Sequence, residues 1–585
     1  MKQFLKFTLA SMLGVFVALT LIFLILLGIA GAISSSEKSV TIEENSILKI
    51  SLDGTFQEQS VDNPFDFTIP GLPMDTKIGN QGLDDILAAI KKAKTNDKIK
   101  GIYVISGVMN AGMETAEEIR NALIDFKKSG KFIFAYGEMM DQKEYYIVSV
   151  ANKIVFNPEG MLNFHGLAAT PIFFKGTLEK IGVKPEIFRV GTFKSAVEPF
   201  INTKMSDANR QQTQETLDGI WGNILKDISA SRRLSKEDLN QLANRNMLFE
   251  AATELVKTKL ADSVLYQPDM MKYLSAKVSV MDVDDLKLVS VKDLITAADE
   301  STTFEKEKVA VLYADGELFD SGSDGVVSKD LIEEIQKIQK DSLIKAVVFR
   351  VNSPGGSAYA SEQIWKAMSE LKAKKPVVVS MGDYAASGGY YISCCADKIV
   401  AAPNTITGSI GIFGMFFIMD ELSRKIGLNY DVVKTNDLAD MGNTLRPMTA
   451  PEKMKIQAYV NRGYDLFVKR CAEGRKMKDS AIRKIAEGRV WTGQKAKEIG
   501  LVDEIGGLDK AIQIAARLGK ITKYRMVYYP EKKAFMTELM EEFSGNTKLK
   551  MARAFLGEEY APLLKLKTSS IQTGIMTRMD MFDIQ

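Results

Sequence analysis

The chain has 585 residues, more than a single hydrophobic core usually supports, so its length predicts two or more domains. Charged residues make up 26% and hydrophobic residues 46%, proportions that are ordinary for a globular protein. With 76 basic and 74 acidic side chains, the formal net charge is only +2, which argues against a nucleic-acid partner.

The N-terminus predicts a membrane anchor. After Lys2 and Lys6 no charged residue occurs before Glu37, and residues 7–33 are apolar or small throughout. This run exceeds the ~20 residues that span a bilayer, and the preceding lysines favour a cytoplasmic N-terminus with the body outside. The sequence AGA at 30–32 resembles a signal cleavage site, which is the alternative; the length of the run favours a retained anchor.

Two parts of the chain repeat each other. The segment IKGIYVISG at 99–107 matches IKAVVFRVN at 344–352, and YYIVSVANKIVFNP at 145–158 matches YYISCCADKIVAAP at 390–403, both at an offset of 245 residues. A weaker match between KLADSV and GLVDEI, further along the chain, has a slightly shorter offset. The chain is therefore predicted to contain two copies of one domain.

The repetition divides the chain. Residues 1–45 form the cytoplasmic N-terminus and anchor, 46–300 the first copy and 306–540 the second, with a polar linker around 295–308. Residues 541–585 are left as a C-terminal tail. No pattern assigns a place to the last part of that tail, SSIQTGIMTRMDMFDIQ.

The second copy alternates short β-branched runs with amphipathic helical patterns. Its predicted elements are, in order, a strand at 346–351, a helix at 358–373, a strand at 376–381, a helix beginning near Ser387 and a strand at 398–402. Charged, Gln-containing helical stretches at 205–246 and 450–487 lie between the cores. This order predicts an α/β fold with mainly parallel sheets flanked by helices.

The two copies differ where chemistry is expected. The second copy has NSPGGS at 352–357 where the first has GVMNAG at 107–112. Within GDYAASGGYY, Ser387 aligns with Gln142 of the first copy, and the following diglycine aligns with a Lys-Glu pair. Only the second copy therefore has this candidate nucleophile.

A serine nucleophile needs a base, and the one histidine, His165, is far away in sequence and is interpreted as structural. The first copy offers Lys194 in RVGTFKSAVEPF, opposite Ala439 of the second copy. Burial can lower the pKa of a lysine enough for it to take a proton from serine. Taken alone, Lys194 would be called a solvated surface residue; its apolar neighbours and the repeat comparison favour the base.

Ser387 and the nearby glycines have simpler interpretations. Ser387 could only cap a helix, and SPGG could be a simple turn. Diglycine also lets backbone amides approach a ligand closely, as an oxyanion hole requires. The sequence AASGG is not the G-x-S-x-G elbow, so an α/β-hydrolase is disfavoured.

The cysteines indicate neither disulfides nor a metal site. Cys394 and Cys395 lie in an apolar run and are expected to be buried small side chains, and Cys471 is the only other cysteine. No CxxC or HExxH motif is present, and a lone histidine argues against zinc.

Four motifs together resemble the signal peptide peptidase A family, also called protease IV, in its long, duplicated, membrane-anchored bacterial form: GTFKSAVEPF, NSPGGSAYASEQIW, GDYAASGGYYIS and TGSIGIFG. The resemblance extends from the anchor to about residue 540. It implies two tandem ClpP/crotonase-like spiral ββα domains with helical extensions, preceded by one transmembrane helix.

The resemblance also implies a site shared between the copies. Ser387 would be the nucleophile, Lys194 the general base, and Ser409 in TGSIG the second serine that orients the lysine. The oxyanion would be bound by backbone N–H groups of Gly355, Gly356 and Gly388. No metal, nucleotide or other cofactor is expected.

The function implied is that of a serine endopeptidase with a Ser–Lys dyad. It would degrade cleaved signal peptides and other unfolded, apolar peptides from the extracytoplasmic side of the bacterial cytoplasmic membrane, as a bowl-shaped homotetramer. Phe413, Met415 and Phe416 could line its primary pocket or simply belong to the core.

Two functions other than that of a serine endopeptidase are compatible with parts of the sequence. A crotonase-like enzyme acting on acyl-CoA would need oxyanion glycines and acidic catalysts but not Lys194, and an anchor outside the cytoplasm counts against it. An inactive membrane scaffold that binds peptides or proteins would need neither Ser387 nor Lys194, and their presence counts against that reading.

Overall fold

The structure is a computed structural model of the chain. It describes residues 41–60, 80–297, 305–322, 325–531 and 574–579, together with residues 3, 6, 7, 11–18, 20 and 21 near the N-terminus. Most of the predicted anchor and of the C-terminal tail lies outside these described residues, as do residues 298–304 of the polar linker. Within them, no helix has both the length and the apolar character that a membrane span needs.

The elements follow the chain from N- to C-terminus. In the first repeat the strands are β1 Ser46–Gln57, β2 Asn80–Gly82, β3 Ile99–Asn110, β4 Phe132–Asp141, β5 Lys153–Asn163, β6 Lys184–Arg189, β7 Ser263–Val264 and β8 Leu288–Val289. Its helices are α1 Leu83–Thr95, α2 Met113–Lys127, α3 Gln142–Val148, α4 Lys175–Ile181, α5 Glu198–Ile201, α6 Asp207–Arg232, α7 Lys236–Arg245, α8 Ala252–Lys257, α9 Gln267–Lys277 and α10 Val291–Thr296. Short 3₁₀ turns occupy Ser195–Val197, Met247–Phe249 and Val283–Asp285.

The second repeat has a similar series, and one more strand comes from the tail. Its strands are β9 Lys308–Asp315, β10 Leu318–Phe319, β11 Val326–Val327, β12 Ile344–Ser353, β13 Gly355–Ser357, β14 Val377–Ala386, β15 Lys398–Ala401, β16 Ile406–Gly408, β17 Phe413–Ile418, β18 Val490–Thr492, β19 Glu504–Ile505 and β20 Arg525–Tyr529. Its helices are α11 Ser328–Lys340, α12 Ala358–Lys372, α13 Gly388–Ser393, α14 Asp420–Lys425, α15 Ala450–Arg475, α16 Asp479–Ile485, α17 Gly493–Glu498 and α18 Leu508–Leu518. Strand β21 of the tail is Gly574–Arg578.

Each repeat is built on its own parallel sheet. The first has the strand order β2-β1-β3-β4-β5-β7, with β8 also pairing with β1. The second has the order β18-β16-β14-β12-β9-β20, with β15 beside β14, and its pairing of β16 with β18 is antiparallel. The central strands are nearly continuous apolar runs, as parallel strands covered on both faces require. Strand β12, for example, is buried at six consecutive positions, 346–351.

The predicted duplication is confirmed at the level of whole elements. Helices α1 and α11, helices α2 and α12, and strands β4 and β14 begin and end 245 residues apart. Helices α9 and α18 differ by 241 residues at both ends, which matches the shorter offset of the weaker repeat. The tandem ClpP-like α/β architecture expected from the sequence is therefore present.

A third sheet joins the two repeats. Its strand order is β11-β10-β13-β21-β17-β6, so it combines a strand of the first repeat, strands of the second and the tail strand β21. Strands β6 and β17 pair antiparallel over six residues, from Lys184 opposite Ile418 to Arg189 opposite Phe413. This pairing fixes the first repeat's segment after β6 against the second repeat.

A buried charge cluster also connects the repeats. Arg350, on the central strand β12, is 0% exposed and donates to Glu58 Oε2 at 2.7 Å. It also donates to Glu118 Oε1 and Glu114 Oε2, both at 2.9 Å. All three carboxylates belong to the first repeat, so the guanidinium of one repeat is bound by carboxylates of the other.

The N-terminus of α2 is capped from the other repeat. Asp383, four residues before Ser387, accepts backbone hydrogen bonds from Glu114 at 2.8 Å and Thr115 at 3.1 Å through Oδ1, and the Thr115 hydroxyl at 2.7 Å through Oδ2. A carboxylate at this position satisfies N–H groups that a helix start leaves free and lies at the positive end of its dipole. The strand that leads to Ser387 is thereby held against the first repeat.

Candidate active site

Ser387 stands at a sharp turn between β14 and α13. Its backbone has φ +55° and ψ −113°, which is a strained conformation for a non-glycine residue, at a cost of about 1–3 kcal/mol. The turn is held by Ser387 N–H donating to Gly408 O and by Tyr391 N–H donating to Ser387 O, both at 2.8 Å. Its side chain makes no helix-capping hydrogen bond, so the simple capping interpretation does not describe this serine.

Lys194 reaches the same place from the first repeat. It lies in the loop after β6, where Phe193 N–H donates to Glu487 O at 2.9 Å and Val190 N–H to Ile412 O at 3.2 Å. These backbone bonds attach the part of the loop that precedes Lys194 to the second repeat. The Lys194 side chain is only 1% exposed.

The amine of Lys194 has three close oxygen neighbours. Its Nζ lies 2.7 Å from Ser387 Oγ, 3.1 Å from Ser409 Oγ and 3.2 Å from the Ser409 carbonyl oxygen. The Ser409 hydroxyl can donate to Gly488 O at 3.3 Å, which leaves its oxygen free to accept from Nζ. A neutral amine has two N–H donors and one lone pair. If both donors go to Ser409, the lone pair is left facing the Ser387 hydroxyl.

Burial determines the charge of this amine. Removal from water penalises the ammonium form and lowers the pKa of Lys194 well below its ordinary value, with burial as the cause. Glu198, the charged residue nearest to it in sequence, has its carboxylate engaged elsewhere, since it accepts from Ser206 N–H at 3.0 Å and the Ser206 hydroxyl at 2.5 Å. The site therefore favours a neutral amine beside a serine hydroxyl.

The structure brings Ser409 to the position that orients the amine. Its backbone has φ +50°, and its N–H donates to Arg489 O at 2.7 Å. This unusual conformation aims both the carbonyl and the hydroxyl of one residue at Nζ. The sequence-predicted trio of Ser387, Lys194 and Ser409 thus lies within one hydrogen-bonded group.

The three predicted oxyanion glycines also lie beside Ser387, but their N–H groups differ. Gly355 has φ +101° and its N–H donates to Ser353 Oγ at 3.2 Å, so this donor is already used. A Cβ added to Gly388 would lie 2.7 Å from Ser361 Oγ and 3.0 Å from Gly355 Cα. Only glycine at 388 lets the loop pack this closely, and Gly356 and Gly388 are left as the candidate donors.

Gly488 belongs to the site although no motif pointed to it. It has φ +77°, and an added Cβ would lie 2.7 Å from Lys194 Cβ and 2.8 Å from Lys194 Cα. Its carbonyl accepts from the Ser409 hydroxyl and its N–H donates to Ile410 O at 2.8 Å. Gln212 supports the same loop by donating to Phe193 O at 3.1 Å.

In the first repeat the position that corresponds to Ser387 is Gln142, whose side chain forms hydrogen bonds with the backbone of Gly166. Its Nε2 donates to Gly166 O at 2.7 Å, and its Oε1 accepts from Gly166 N–H at 3.1 Å. His165 is exposed and is not among the residues around Lys194, in line with its structural interpretation. Cys394 and Cys395 are buried free thiols, as expected.

The described residues contain no group of three or more His, Cys, Asp or Glu side chains that could hold a metal ion. The arrangement is instead that of an activated hydroxyl: a buried amine, a serine oxygen at hydrogen-bond distance and backbone donors beside it. Such a set can form and resolve a covalent acyl intermediate.

Comparison with known proteins agrees with this chemistry. A model of peptidase family S49 matches residues 125–281 and 369–522, and a Clp protease model matches 307–407. The first match thus falls on both repeats, and the second on the part of the second repeat that holds β9, β12, β14 and Ser387.

Relatives of similar length are found in bacteria and plants. Protease 4 of Salmonella typhi is 36% identical over 83% of this chain and 80% of its own length. Protease 4 of Haemophilus influenzae is 34% identical, over 85% and 82% respectively. The chloroplastic serine protease SPPA of Arabidopsis thaliana is 30% identical, over 84% of this chain and 72% of its own.

Proposed function

The chain belongs to peptidase family S49 and is a serine peptidase, and from that premise we propose that Ser387 is its nucleophile and Lys194 its general base. The observation that carries this proposal is the 2.7 Å separation of Lys194 Nζ and Ser387 Oγ in a site where burial lowers the pKa of the lysine. Each repeat supplies one member of the pair, and Ser409 orients the amine.

Acylation is the first half of the reaction. The neutral amine of Lys194 takes the Ser387 proton while Oγ attacks the carbonyl carbon of a peptide bond. The carbonyl oxygen becomes an oxyanion, which the N–H groups of Gly356 and Gly388 stabilise. The ammonium of Lys194 then gives its proton to the leaving amine, the C–N bond breaks, and an ester of Ser387 remains.

Deacylation restores the site. Lys194 is neutral again and takes a proton from a water molecule, whose oxygen attacks the ester carbon. The second oxyanion collapses, the Ser387 oxygen leaves with the proton returned by Lys194, and the acyl half is released as a carboxylate. Ser409 holds Nζ in place through both halves, since its carbonyl and hydroxyl oxygens can accept hydrogen bonds from the amine in either charge state.

The proposal extends to substrate and location. Ser387 and Lys194 are almost completely buried, a position that suits an extended, unfolded chain better than a folded domain. The apolar segment 7–33 supports a single-pass anchor in the bacterial cytoplasmic membrane with the catalytic body outside it. Cleaved signal peptides, which are apolar and released in that membrane, fit both features. The resemblance to the long bacterial form supports a homotetramer.

The test is hydrolysis of a quenched-fluorescent peptide with a signal-peptide-like apolar core by the purified full chain in detergent. We expect Ser387→Ala and Lys194→Met each to lower kcat/KM by about 10⁴-fold or more, since members of a catalytic set act as a unit. The matched controls are Ser369→Ala, whose hydroxyl bonds its own helix, and Lys366→Met at an exposed pair; both should stay active. Activity that survives in Ser387→Ala would refute the assignment.

Location and assembly have their own tests. Carbonate extraction should leave the chain in the membrane fraction, and protease added to spheroplasts should degrade its body. The native mass in detergent should correspond to four chains. Extraction of the chain by carbonate would refute the membrane anchor, and protection of the body from added protease would refute its extracytoplasmic location. The mass of a single chain would refute the homotetramer.

A further inference from the structure

Helix α6 of the first repeat packs against strand β18 of the second. An added Cβ at Gly219 would lie 3.1 Å from Thr492 Cγ2, so the helix and the strand are in close contact there. Gln212 and Glu215 lie on the same face of the helix as Gly219, since residues three and four apart are neighbours on a helix surface. Part of the charged, Gln-containing stretch at 205–246 thus faces the second repeat.

Gln212 contacts the residues on both sides of Lys194. It is 1% exposed, and its Nε2 donates to Phe193 O at 3.1 Å and to Ser195 Oγ at 3.0 Å. Asn209 Oδ1, one turn earlier on the helix, lies 3.2 Å from the same nitrogen and restrains the side chain. One carboxamide therefore holds the chain directly before and directly after the proposed base.

The other end of this carboxamide is attached to the second repeat. Gln212 Oε1 accepts from Val490 N–H at 3.4 Å. Val490 is the first residue of β18 and lies opposite Gly408 in the pairing with β16. The Gly408 carbonyl accepts from Ser387 N–H at 2.8 Å. Gln212 therefore links the chain around Lys194 to the strand pair that holds the proposed nucleophile.

The partners of this side chain favour an uncharged amide. Phe193 O can only accept a hydrogen bond and Val490 N–H can only donate one, so the group between them must offer a donor and an acceptor at once. A glutamate would place a carboxylate beside the segment that carries Lys194, and an opposite charge nearby favours the ammonium form. Glutamine binds both partners without adding a charge.

Gln212 also holds the side of the loop that backbone bonds leave open. Two backbone bonds from this loop to the second repeat come from residues before Lys194, whereas Ser195 follows it and is bound by Gln212. A lysine side chain is a flexible four-carbon stem, so its main chain must be fixed if Nζ is to keep one position. Holding the segment on both sides restricts Nζ to the place 2.7 Å from Ser387 Oγ.

The same helix face contacts the residue that holds Ser409. Glu215 forms an ion pair with Arg489, whose Cζ lies 4.7 Å from the ring centre of Phe193 and 4.5 Å from that of Trp491. The Arg489 carbonyl accepts from Ser409 N–H at 2.7 Å. Helix α6 therefore contacts both the segment that carries the proposed base and the residue that positions the second serine.

The second copy lacks this arrangement. Helices α6 and α15 begin and end 243 residues apart, which places Lys455 opposite Gln212. A lysine ammonium has donors but no acceptor and could not bind both partners. The second copy also has Ala439 where the first has Lys194. The glutamine and the lysine thus occur in the same copy.

We propose that Gln212 is a positioning residue for the peptidase reaction, which fixes Lys194 against Ser387 by joining the residues that flank the lysine to strand β18. This inference rests on the proposed function. Gln212 acts through the lysine and transfers no proton itself. Its loss should therefore slow proton transfer from Ser387 and leave peptide binding unchanged.

The first experiment measures how fast a fluorophosphonate modifies Ser387 in the purified full chain at alkaline pH. Gln212→Met keeps the length of the side chain without the amide, and its rate should be lower by about tenfold or more, because a displacement of about 1 Å can cost about 10²-fold. Gln214→Met is the matched control, since Gln214 is exposed on the same helix and donates to Asp218 at 2.8 Å. The control should react like wild type. A wild-type rate in Gln212→Met would overturn the inference.

A double variant distinguishes a role through Lys194 from a general effect on the fold. If Gln212 acts through the lysine, adding Gln212→Met to Lys194→Met should not lower the rate further. A further decrease of the same size as in wild type would show that Gln212 acts elsewhere and would overturn the inference. A Lys194→Met chain that reacts like wild type would instead refute the proposed function, so the two failures are distinguishable.

Hydrolysis of the quenched-fluorescent peptide gives an independent readout. Gln212→Met should lower kcat and leave KM within about twofold of wild type, because the residue acts on the base and not on the bound peptide. An unchanged kcat with a raised KM would assign Gln212 to substrate binding and contradict a positioning role.

Ser195→Ala keeps the inference testable if Gln212→Met does not fold. It removes the acceptor of the Gln212 amide that follows Lys194 and leaves the amide itself in place. The fluorophosphonate rate should fall by about threefold or more, as the loss of one hydrogen bond predicts, and should not fall further in the Lys194→Met background. A wild-type rate in Ser195→Ala, or an equal decrease in both backgrounds, would overturn the inference.

Discussion

Burial lowers the pKa of the Lys194 amine, and this has a cost in stability. Its pKa in the folded chain lies below the ordinary value of the unfolded chain, so between these two pH values the unfolded chain binds a proton that the folded chain does not. Folding stability therefore falls as the pH is lowered from the unfolded pKa to the folded one. The same burial favours the neutral amine that can act as a base, so reactivity and stability oppose each other at this residue.

Gly488 offers a sharp test of how closely Lys194 must be held. In Gly488→Ala the added Cβ would lie 2.7 Å from Lys194 Cβ and would displace the lysine from Ser387. A displacement of about 1 Å in a catalytic group can lower the rate about 10²-fold, and we expect a loss of kcat of at least this size.

The matched control for that variant is Gly427→Ala. Gly427 has φ +80°, close to the +77° of Gly488, but an added Cβ there would meet nothing within 4 Å. Both variants carry the same backbone strain, but only Gly488→Ala adds a clash with Lys194. Gly427→Ala should therefore keep its peptidase activity and lose less thermal stability than Gly488→Ala. Equal activities of the two variants would show that the lysine tolerates displacement.

At the residue scale the sequence indicated the proposed catalytic pair but not the residues that support it. The repeat comparison singled out Ser387 and Lys194 as candidates, and the structure places their side chains 2.7 Å apart. Gly488 could not be found, because its role depends on a loop after α16 that packs against Lys194 through tertiary contacts. The use of the Gly355 N–H by Ser353 Oγ likewise depends on side-chain placement that no motif records.

Among the elements, strands β6 and β17 are divided between the two copies, as the proposed catalytic residues are. At the repeat offset of 245, the residues of β6 correspond to 429–434 of the second copy and those of β17 to 168–173 of the first, and neither of these segments is a strand. Each copy thus contributes one strand, and the two pair with each other. Lys194 lies in the loop that follows β6, which ends at Arg189, so this pairing brings the lysine close to the serine.

Among the contacts between elements, those of Arg350 should contribute most to the stability of the folded chain. Without its guanidinium, Glu58, Glu114 and Glu118 would remain as a buried cluster of carboxyl groups at the junction of the repeats. Breaking a buried ion pair from one side typically costs about 3–5 kcal/mol, so Arg350→Met should lower the unfolding temperature strongly. The inter-repeat contacts of β12 should be lost first.

The pH dependence of this variant follows from the carboxyl groups. Burial already raises the pKa of Glu58 to about 7 and raises that of Glu114, although Arg350 opposes both shifts. An acid with a raised pKa in the folded chain contributes stability that is lost as the pH rises from its unfolded to its folded value. Loss of Arg350 removes the opposing effect, so the variant should be less impaired at about pH 5 than at about pH 8.

Calorimetric unfolding temperatures of wild type and Arg350→Met at both pH values measure this effect. Arg483→Met is the control, because Arg483 is 41% exposed in its ion pairs with Asp465 and Asp479, and its loss should shift the unfolding temperature little at either pH. A deficit of Arg350→Met that does not change with pH would contradict the assignment of the carboxyl groups.

Across the whole molecule, periodicity and repetition predicted the parallel sheets, the order of the elements and the tandem architecture. Continuous apolar strands and amphipathic helices leave few alternatives, and an offset common to many residues fixes how the copies correspond. The tail was not predicted, because GIMTRM has no periodicity of its own and becomes a strand only between β13 and β17. Arg350 illustrates the same limit. The sequence AVVFRV alone does not explain a charged residue in a buried strand, because the carboxylates that bind Arg350 belong to the other repeat.

The most direct measurement of the shared site is the rate at which a fluorophosphonate modifies Ser387, followed by mass spectrometry from about pH 5 to about pH 10. With Lys194 as the base, the rate in wild type should rise about tenfold per pH unit and level off above the lowered pKa of Lys194. Lys194→Met should react at about 1% of the plateau rate or less, and Lys366→Met like wild type. A pH-independent rate in wild type, or equal rates in wild type and Lys194→Met, would contradict the account.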